Sequence, residues 1–206
     1  MNAQQLLTHR DYTLILDKSG SMSTLDPGDR VSRWEQAQES TLALARKCEQ
    51  LDPDGITVYT FSSRFKRYNN VTAAKVAQIF QENDPMGSTD LADVLQSATQ
   101  DYFQRKQQGK SQPNGETILV VTDGEPDDKR AVIEVIVRAT QSMDRDEELA
   151  ISFIQTGRDA NATKYLKLLD DELEQVGAKF DIVDTVTLDD MADMSLAEVL
   201  LNAIVD

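Results

Sequence analysis

Apolar residues concentrate in five short runs, at 12–16, Ile56–Phe61, 117–121, 150–154 and, more weakly, 180–183. Runs this short, rich in Val, Ile, Phe and Tyr, predict strands rather than buried helices. A strand covered on both faces reads as continuous apolar sequence, and 12–16 does so, leaving Asp17 at its carboxyl end. Between the runs the period changes to that of a helix. Trp34, Ala37, Thr41, Leu44 and Cys48 share one stripe, opened by the capping box Ser32-x-x-Glu35. Leu91, Val94, Leu95, Ala98 and Tyr102 form a second stripe, and Leu166, Leu169, Leu173 and Val176 a third that stops at Gly177. Ser195-x-x-Glu198 opens a last short helix carrying Leu196, Val199 and Leu200.

Alternating strands and helices imply parallel strands joined by right-handed crossovers, with helices on both faces of a central sheet. The expected class is therefore α/β, doubly wound. The segment 64–68 follows Ile56–Phe61 so closely that only a hairpin fits, making it an antiparallel edge strand. Arg64, Lys66 and Arg67 would guard that edge against pairing with another chain. The Gln-, Lys- and Gly-rich stretch 105–115 reads as an exposed connection.

The 206 residues suit a single domain over 1–206, with its core at about 9–204. A formal net charge of −15 opposes binding to nucleic acid or to anionic membrane surfaces. One cysteine, Cys48, excludes an internal disulfide framework, a disulfide-linked assembly is not expected, and no apolar run has the ~20 residues a membrane span needs. No leader pattern is present at the amino terminus, so a cytoplasmic protein is expected. The sole histidine, His9, lacks an evident nucleophile partner and reads as a surface residue. Eleven acidic residues against Lys179 alone occupy 170–206, either a solvated face or a dock for a basic partner.

Three segments place hard oxygen donors just after an apolar run or just before a helix: Asp17-Lys-Ser19-Gly-Ser21, Gly87-Ser88-Thr89-Asp90 and Thr122-Asp123-Gly124-Glu125. In a doubly wound sheet, strand carboxyl ends and the amino ends of following helices share one edge, where ligands bind, so these segments can converge. Two carboxylates with several hydroxyls suit magnesium, which takes about six oxygens and commonly keeps some water. Gly20 is expected to permit the turn that brings Ser19 and Ser21 to one face. Taken singly, each segment also reads as an ordinary turn or helix cap. Glu125, Asp127 and Asp128 read as caps of a helix over 129–139.

The combination of Asp-x-Ser-x-Ser, a distant Thr in Gly-Ser-Thr-Asp and a later Thr-Asp-Gly resembles the metal-ion-dependent adhesion site of von Willebrand factor type A domains. That resemblance implies a Rossmann-like three-layer α/β/α sandwich with a six-stranded, mostly parallel sheet. It also implies that Asp17, Ser19, Ser21, Thr89 and Asp123 hold a metal, Mg2+ with Ca2+ or Mn2+ as alternatives. The serines and threonine would bind directly and the aspartates often through water, while a partner's Asp or Glu takes the open position. Cytosolic relatives commonly act beside AAA+ ATPases or in assembly and signalling complexes, which the resemblance offers as partners. No enzymatic activity is implied. The competing reading is a magnesium-dependent phosphoryl hydrolase of the haloacid-dehalogenase-like type with Asp17 as nucleophile. Those enzymes usually carry a second Asp two residues on as general acid, and here that place holds Ser19.

Overall fold

The computed structural model describes residues 3–52 and 55–205. In chain order the elements are α1 (Ala3–Leu7), β1 (Asp11–Asp17), α2 (Arg33–Leu51), β2 (Ile56–Phe61), β3 (Phe65–Val71), α3 (Ala73–Glu82) and α4 (Leu91–Gln107). There follow β4 (Glu116–Thr122), α5 (Lys129–Gln141), β5 (Leu149–Gln155), α6 (Ala160–Asp171), β6 (Val183–Thr187), α7 (Leu188–Met191) and α8 (Leu196–Asn202). The strands form one six-stranded sheet in the order β3-β2-β1-β4-β5-β6, parallel except for the β2–β3 hairpin at one edge. This is the doubly wound α/β architecture expected from the pattern.

Period-2 alternation along the strands divides the core in two. Leu14, Leu16, Leu119 and Val121 pack beneath α2, α3 and α8, against Trp34, Leu44, Val76, Ile79 and Val199. Ile15, Ile118, Val120, Ile151 and Phe153 face the opposite way, onto α4, α5 and α6. β4 and β5 are buried along their whole length, which is why they read as unbroken apolar runs. β3 is exposed at most positions, and its Arg67 pairs with Asp101 and lies over the Tyr59 ring, so part of the edge-guarding charge is tied to α4.

Several expectations need correction. The last strand is Val183–Thr187 rather than 180–183: as an edge strand it has only Val183 and Val186 buried, one on each face and three positions apart, so it shows neither an apolar run nor an alternation. The stripe ending at Gly177 is not one helix. It is α6 followed by a short 3₁₀ turn, Leu173–Val176, closed by Gly177 in the left-handed region at φ 107°. α1, α3 and α7 were not anticipated, although Thr72 caps α3 and Ala73, Val76, Ile79 and Phe80 follow at helical spacing. Some acidic residues of 170–206 have local duties. Asp190 and Glu198 close the capping boxes of α7 and α8, and Asp170 accepts from the Thr185 hydroxyl. His9 is exposed, and Cys48 is buried with its thiol pKa pushed up by that burial.

Candidate metal centre

β1 and β4 are neighbours, in a register that pairs Leu16 with Val121 and brings the residues that follow, Asp17 and Thr122, side by side. Period 2 points Asp17 to the face of Ile15 and Thr122 to the face of Val120, the same side of the sheet. The Thr122 hydroxyl donates to Asp17 Oδ2 at 2.6 Å, and the Ser19 amide donates to Asp17 Oδ1 at 2.7 Å. Asp17 is fully buried, yet among the described residues no cation pairs with it. Burial pushes its pKa up to about 7, with the charge of Asp123 adding to the rise and the Thr122 and Ser19 hydrogen bonds opposing it. Against its ordinary 3.8 this amounts to roughly 4 kcal/mol disfavouring the anion.

After Ser19 the chain makes a 3₁₀ turn, Gly20–Ser23, which returns Ser21 to the side of Ser19. Ser21 Oγ donates to Asp123 Oδ1 at 2.8 Å, and the two serine hydroxyls are 3.0 Å apart. A hydroxyl has one proton, so Ser19 must donate to Ser21, giving a directed chain from Ser19 through Ser21 to Asp123. Gly20 does not play the part expected of it. A Cβ there would meet the Gly87 carbonyl at an ordinary 3.5 Å. The required glycine is Gly87, at φ 85°, where a Cβ would come within 2.7 Å of Ser63 Oγ.

The Gly87 carbonyl accepts the Gly20 amide at 2.9 Å, and the Lys18 carbonyl accepts the Met86 amide at 2.7 Å, so the 86–89 loop is stitched to the first motif. This brings Thr89 to the cluster's rim, buried, although no hydrogen bond links its hydroxyl to the other four side chains. Asp127 secures the loop from the other side: its amide donates to the Thr89 carbonyl at 3.0 Å and its carboxylate accepts the Thr89 amide at 3.1 Å. Of the three acids expected to cap α5, only Asp128 does so, through Ala131. Glu125 pairs with Lys129.

One participant was missed by sequence reasoning. Arg33, the first residue of α2, reaches into the cluster and donates from Nη1 to Asp123 Oδ2 at 2.7 Å. Its Nε and Nη2 both bind the Asp26 carboxylate, at 2.8 and 2.7 Å. The bidentate fork holds the Asp26 carboxyl below its usual range and raises the Arg33 pKa. Both side chains are nearly buried. Gly157 makes room for the fork, since a Cβ there would lie 2.4 Å from Arg33 Nε.

The donor set suits a hard divalent ion. Two buried carboxylates and three hydroxyls are the oxygen ligands Mg2+ prefers, and the unpaired Asp17 is the group that most needs a positive neighbour. Among the described residues no group of three or more His, Cys, Asp or Glu is placed to hold a metal, so a site here depends on the hydroxyls. Where Gly157 abuts the Asp26–Arg33 fork opens a crevice of about 590 Å³, lined in part by Asp29, Gln155, Arg158, Lys164 and Asp189 and by none of the five oxygen donors.

A cluster of oxygen donors at the carboxyl edge of a doubly wound sheet, with three motifs in the order Asp-x-Ser-x-Ser, Thr, Asp, defines a domain class. Residues 12–125 match the model of the von Willebrand factor type A domain, and the chain belongs to that family. Domains of this family are generally protein-interaction modules, typically without enzymatic activity. Over 134 residues the chain is 30% identical to calcium-activated chloride channel regulator 3A-1 of Mus musculus, a match covering 63% of this chain and 14% of that protein. Among solved structures it resembles a D319A mutant of the PilB minor pilin from Streptococcus sanguinis, with a TM-score of 0.62 and 13% identity over 94% of this chain and 59% of that one. It also resembles manganese-loaded TRAP protein of Plasmodium vivax, with a TM-score of 0.57 and 16% identity over 91% and 72% of the two chains. Nothing in these matches supports the phosphoryl-hydrolase reading. Among the described residues no helix is long and apolar enough to cross a membrane.

Proposed function

We propose that this domain is a divalent-metal-dependent protein-binding module, with Asp17, Ser19, Ser21, Thr89 and Asp123 holding Mg2+, or Ca2+ or Mn2+ in its place. The observation that carries the reading is Asp17. It is a fully buried carboxylate satisfied by an amide and a hydroxyl but by no cation among the described residues, beside a chain of hydroxyls ending on a second carboxylate. When bound, the ion would supply a positive vertex that a partner's Asp or Glu carboxylate completes. The chain's own part is to hold the oxygens in place. The sheet register aligns Asp17 with Thr122, the 3₁₀ turn pairs the serines, and Asp127 ties down the Thr89 loop.

The manganese carried by the TRAP structure supports a divalent site on this fold. A buried, unpaired Cys48 is consistent with a cytoplasmic setting, which belongs to the same proposal, as does a partner of the ATPase or assembly type. Isothermal titration with Mg2+ and Mn2+ tests the site. Wild type is expected to bind one ion and Asp17→Ala none, whereas equal heats for the two proteins would remove Asp17 from any metal site.

A further inference from the structure

Arg33 and Asp26 belong to none of the three motifs, yet they meet Asp123 through charge-assisted bonds at 2.7 to 2.8 Å. The two oxygens of Asp123 are divided between them and the serines: Oδ1 accepts from Ser21 and Oδ2 from Arg33. All three guanidinium nitrogens are engaged, two on Asp26 and one on Asp123. The arrangement is built rather than incidental. Arg33 leads α2, its amide donates to the Thr24 carbonyl at 3.0 Å, and Gly157, at φ 75°, leaves the space its side chain fills.

We propose that the Asp26–Arg33 pair is a counter-charge that sets how strongly Asp123 attracts a divalent cation, with Arg33 as a positioning residue and Asp26 as its restraint. This rests on the metal-binding reading above. Arg33 withdraws one oxygen of Asp123 and offsets part of its charge, so a cation meets less than two full carboxylates and stays more receptive to an outside carboxylate. Asp26 in turn absorbs most of the guanidinium charge. Without Asp26 the whole positive charge would fall on Asp123.

The two substitutions therefore act in opposite directions. Arg33→Gln exposes Asp123 to the ion and tightens Mn2+ binding about tenfold, while Asp26→Asn frees the guanidinium and weakens it by a similar factor of about ten. Both affinities are read by titrating Mn2+ alone and following the electron paramagnetic resonance signal of the free ion, with folding checked by circular dichroism. Arg33→Met, which keeps the aliphatic stem, replaces Arg33→Gln should that protein fail to fold. If the pair only braces the 24–32 loop, both variants bind more weakly, and the proposal is overturned. Equal affinity in all three proteins overturns it as well, by placing the pair outside the ion's electrostatic reach. Absence of Mn2+ binding by wild type defeats the metal-site reading itself, and this inference with it.

Discussion

Two fully buried carboxylates stand at opposite ends of adjacent strands, and they are treated differently. Glu116 opens β4 at the amino edge of the sheet, beside Asp11, and Asp17 closes β1 at the carboxyl edge. Burial pushes each pKa up to about 7. Glu116, however, accepts the Thr13 hydroxyl and a guanidinium proton of Arg105, which also pairs with Asp11 and Asp101. Nearby, the buried Arg10 guanidinium spends its protons on the Thr117 hydroxyl and on the backbone carbonyls of Asn114, Glu116 and Glu147. At the amino edge the charges are closed internally; at the carboxyl edge Asp17 has only a hydroxyl and an amide. An internally compensated carboxylate is architecture, whereas one met only by an amide and a hydroxyl is the natural candidate for a charge supplied from outside.

The contrast breaks most visibly at Arg105. Arg105→Met leaves Glu116, Asp11 and Asp101 without their shared guanidinium and should cost about 3 kcal/mol in urea denaturation at pH 7, with or without divalent metal. A loss below about 1 kcal/mol would mean that Glu116 is not held by that pair. Asp17→Asn should do the reverse. Removing an uncompensated anion stabilises the metal-free protein by about 2 kcal/mol and abolishes any rise in melting temperature on adding Mn2+. A destabilised variant would show that the anion is already well accommodated.

The two carboxylates also make a joint pH prediction. Each has a folded pKa raised to about 7 from an ordinary value of 3.8 or 4.5, so between those limits the folded state binds more protons than the unfolded chain. Stability of the metal-free protein therefore falls as pH rises from about 4 to about 7, and levels off above that. Asp17→Asn and Glu116→Gln should each flatten part of this slope in melting curves at pH 5 and 8, and saturating Mn2+ should remove the Asp17 part alone. The smallest effect is expected at Asp127→Ala, which frees the Thr89 amide. It should cost about 1 kcal/mol and weaken Mn2+ binding, because the Thr89 loop is no longer held to the cluster.

The sequence revealed most where burial is symmetric and least where it is partial. β1, β4 and β5 are covered on both faces and announce themselves as apolar runs, and Asp17 stands out as a carboxylate closing one. β6 buries one valine on each face, Val183 and Val186, three positions apart, and so offers neither an apolar run nor an alternation to read. Asp17, Ser19, Ser21 and Asp123 could be singled out because their motifs are local and together resemble those of the family, and the structure links them by hydrogen bonds. Arg33 could not be found this way. Its signal lies 90 residues from Asp123, and at the first turn of a capped helix an arginine reads as solvated. Only the packing of the 24–32 loop turns it inward, through the glycine at 157.

We propose above that the carboxyl edge takes its missing positive charge from a divalent ion. A crystal grown in Mn2+ and measured at the manganese absorption edge tests this directly. One strong anomalous peak is expected, enclosed by Asp17, Ser19, Ser21, Thr89 and Asp123. A map with no peak there, and with Asp17 still met only by the Ser19 amide and the Thr122 hydroxyl, would contradict it.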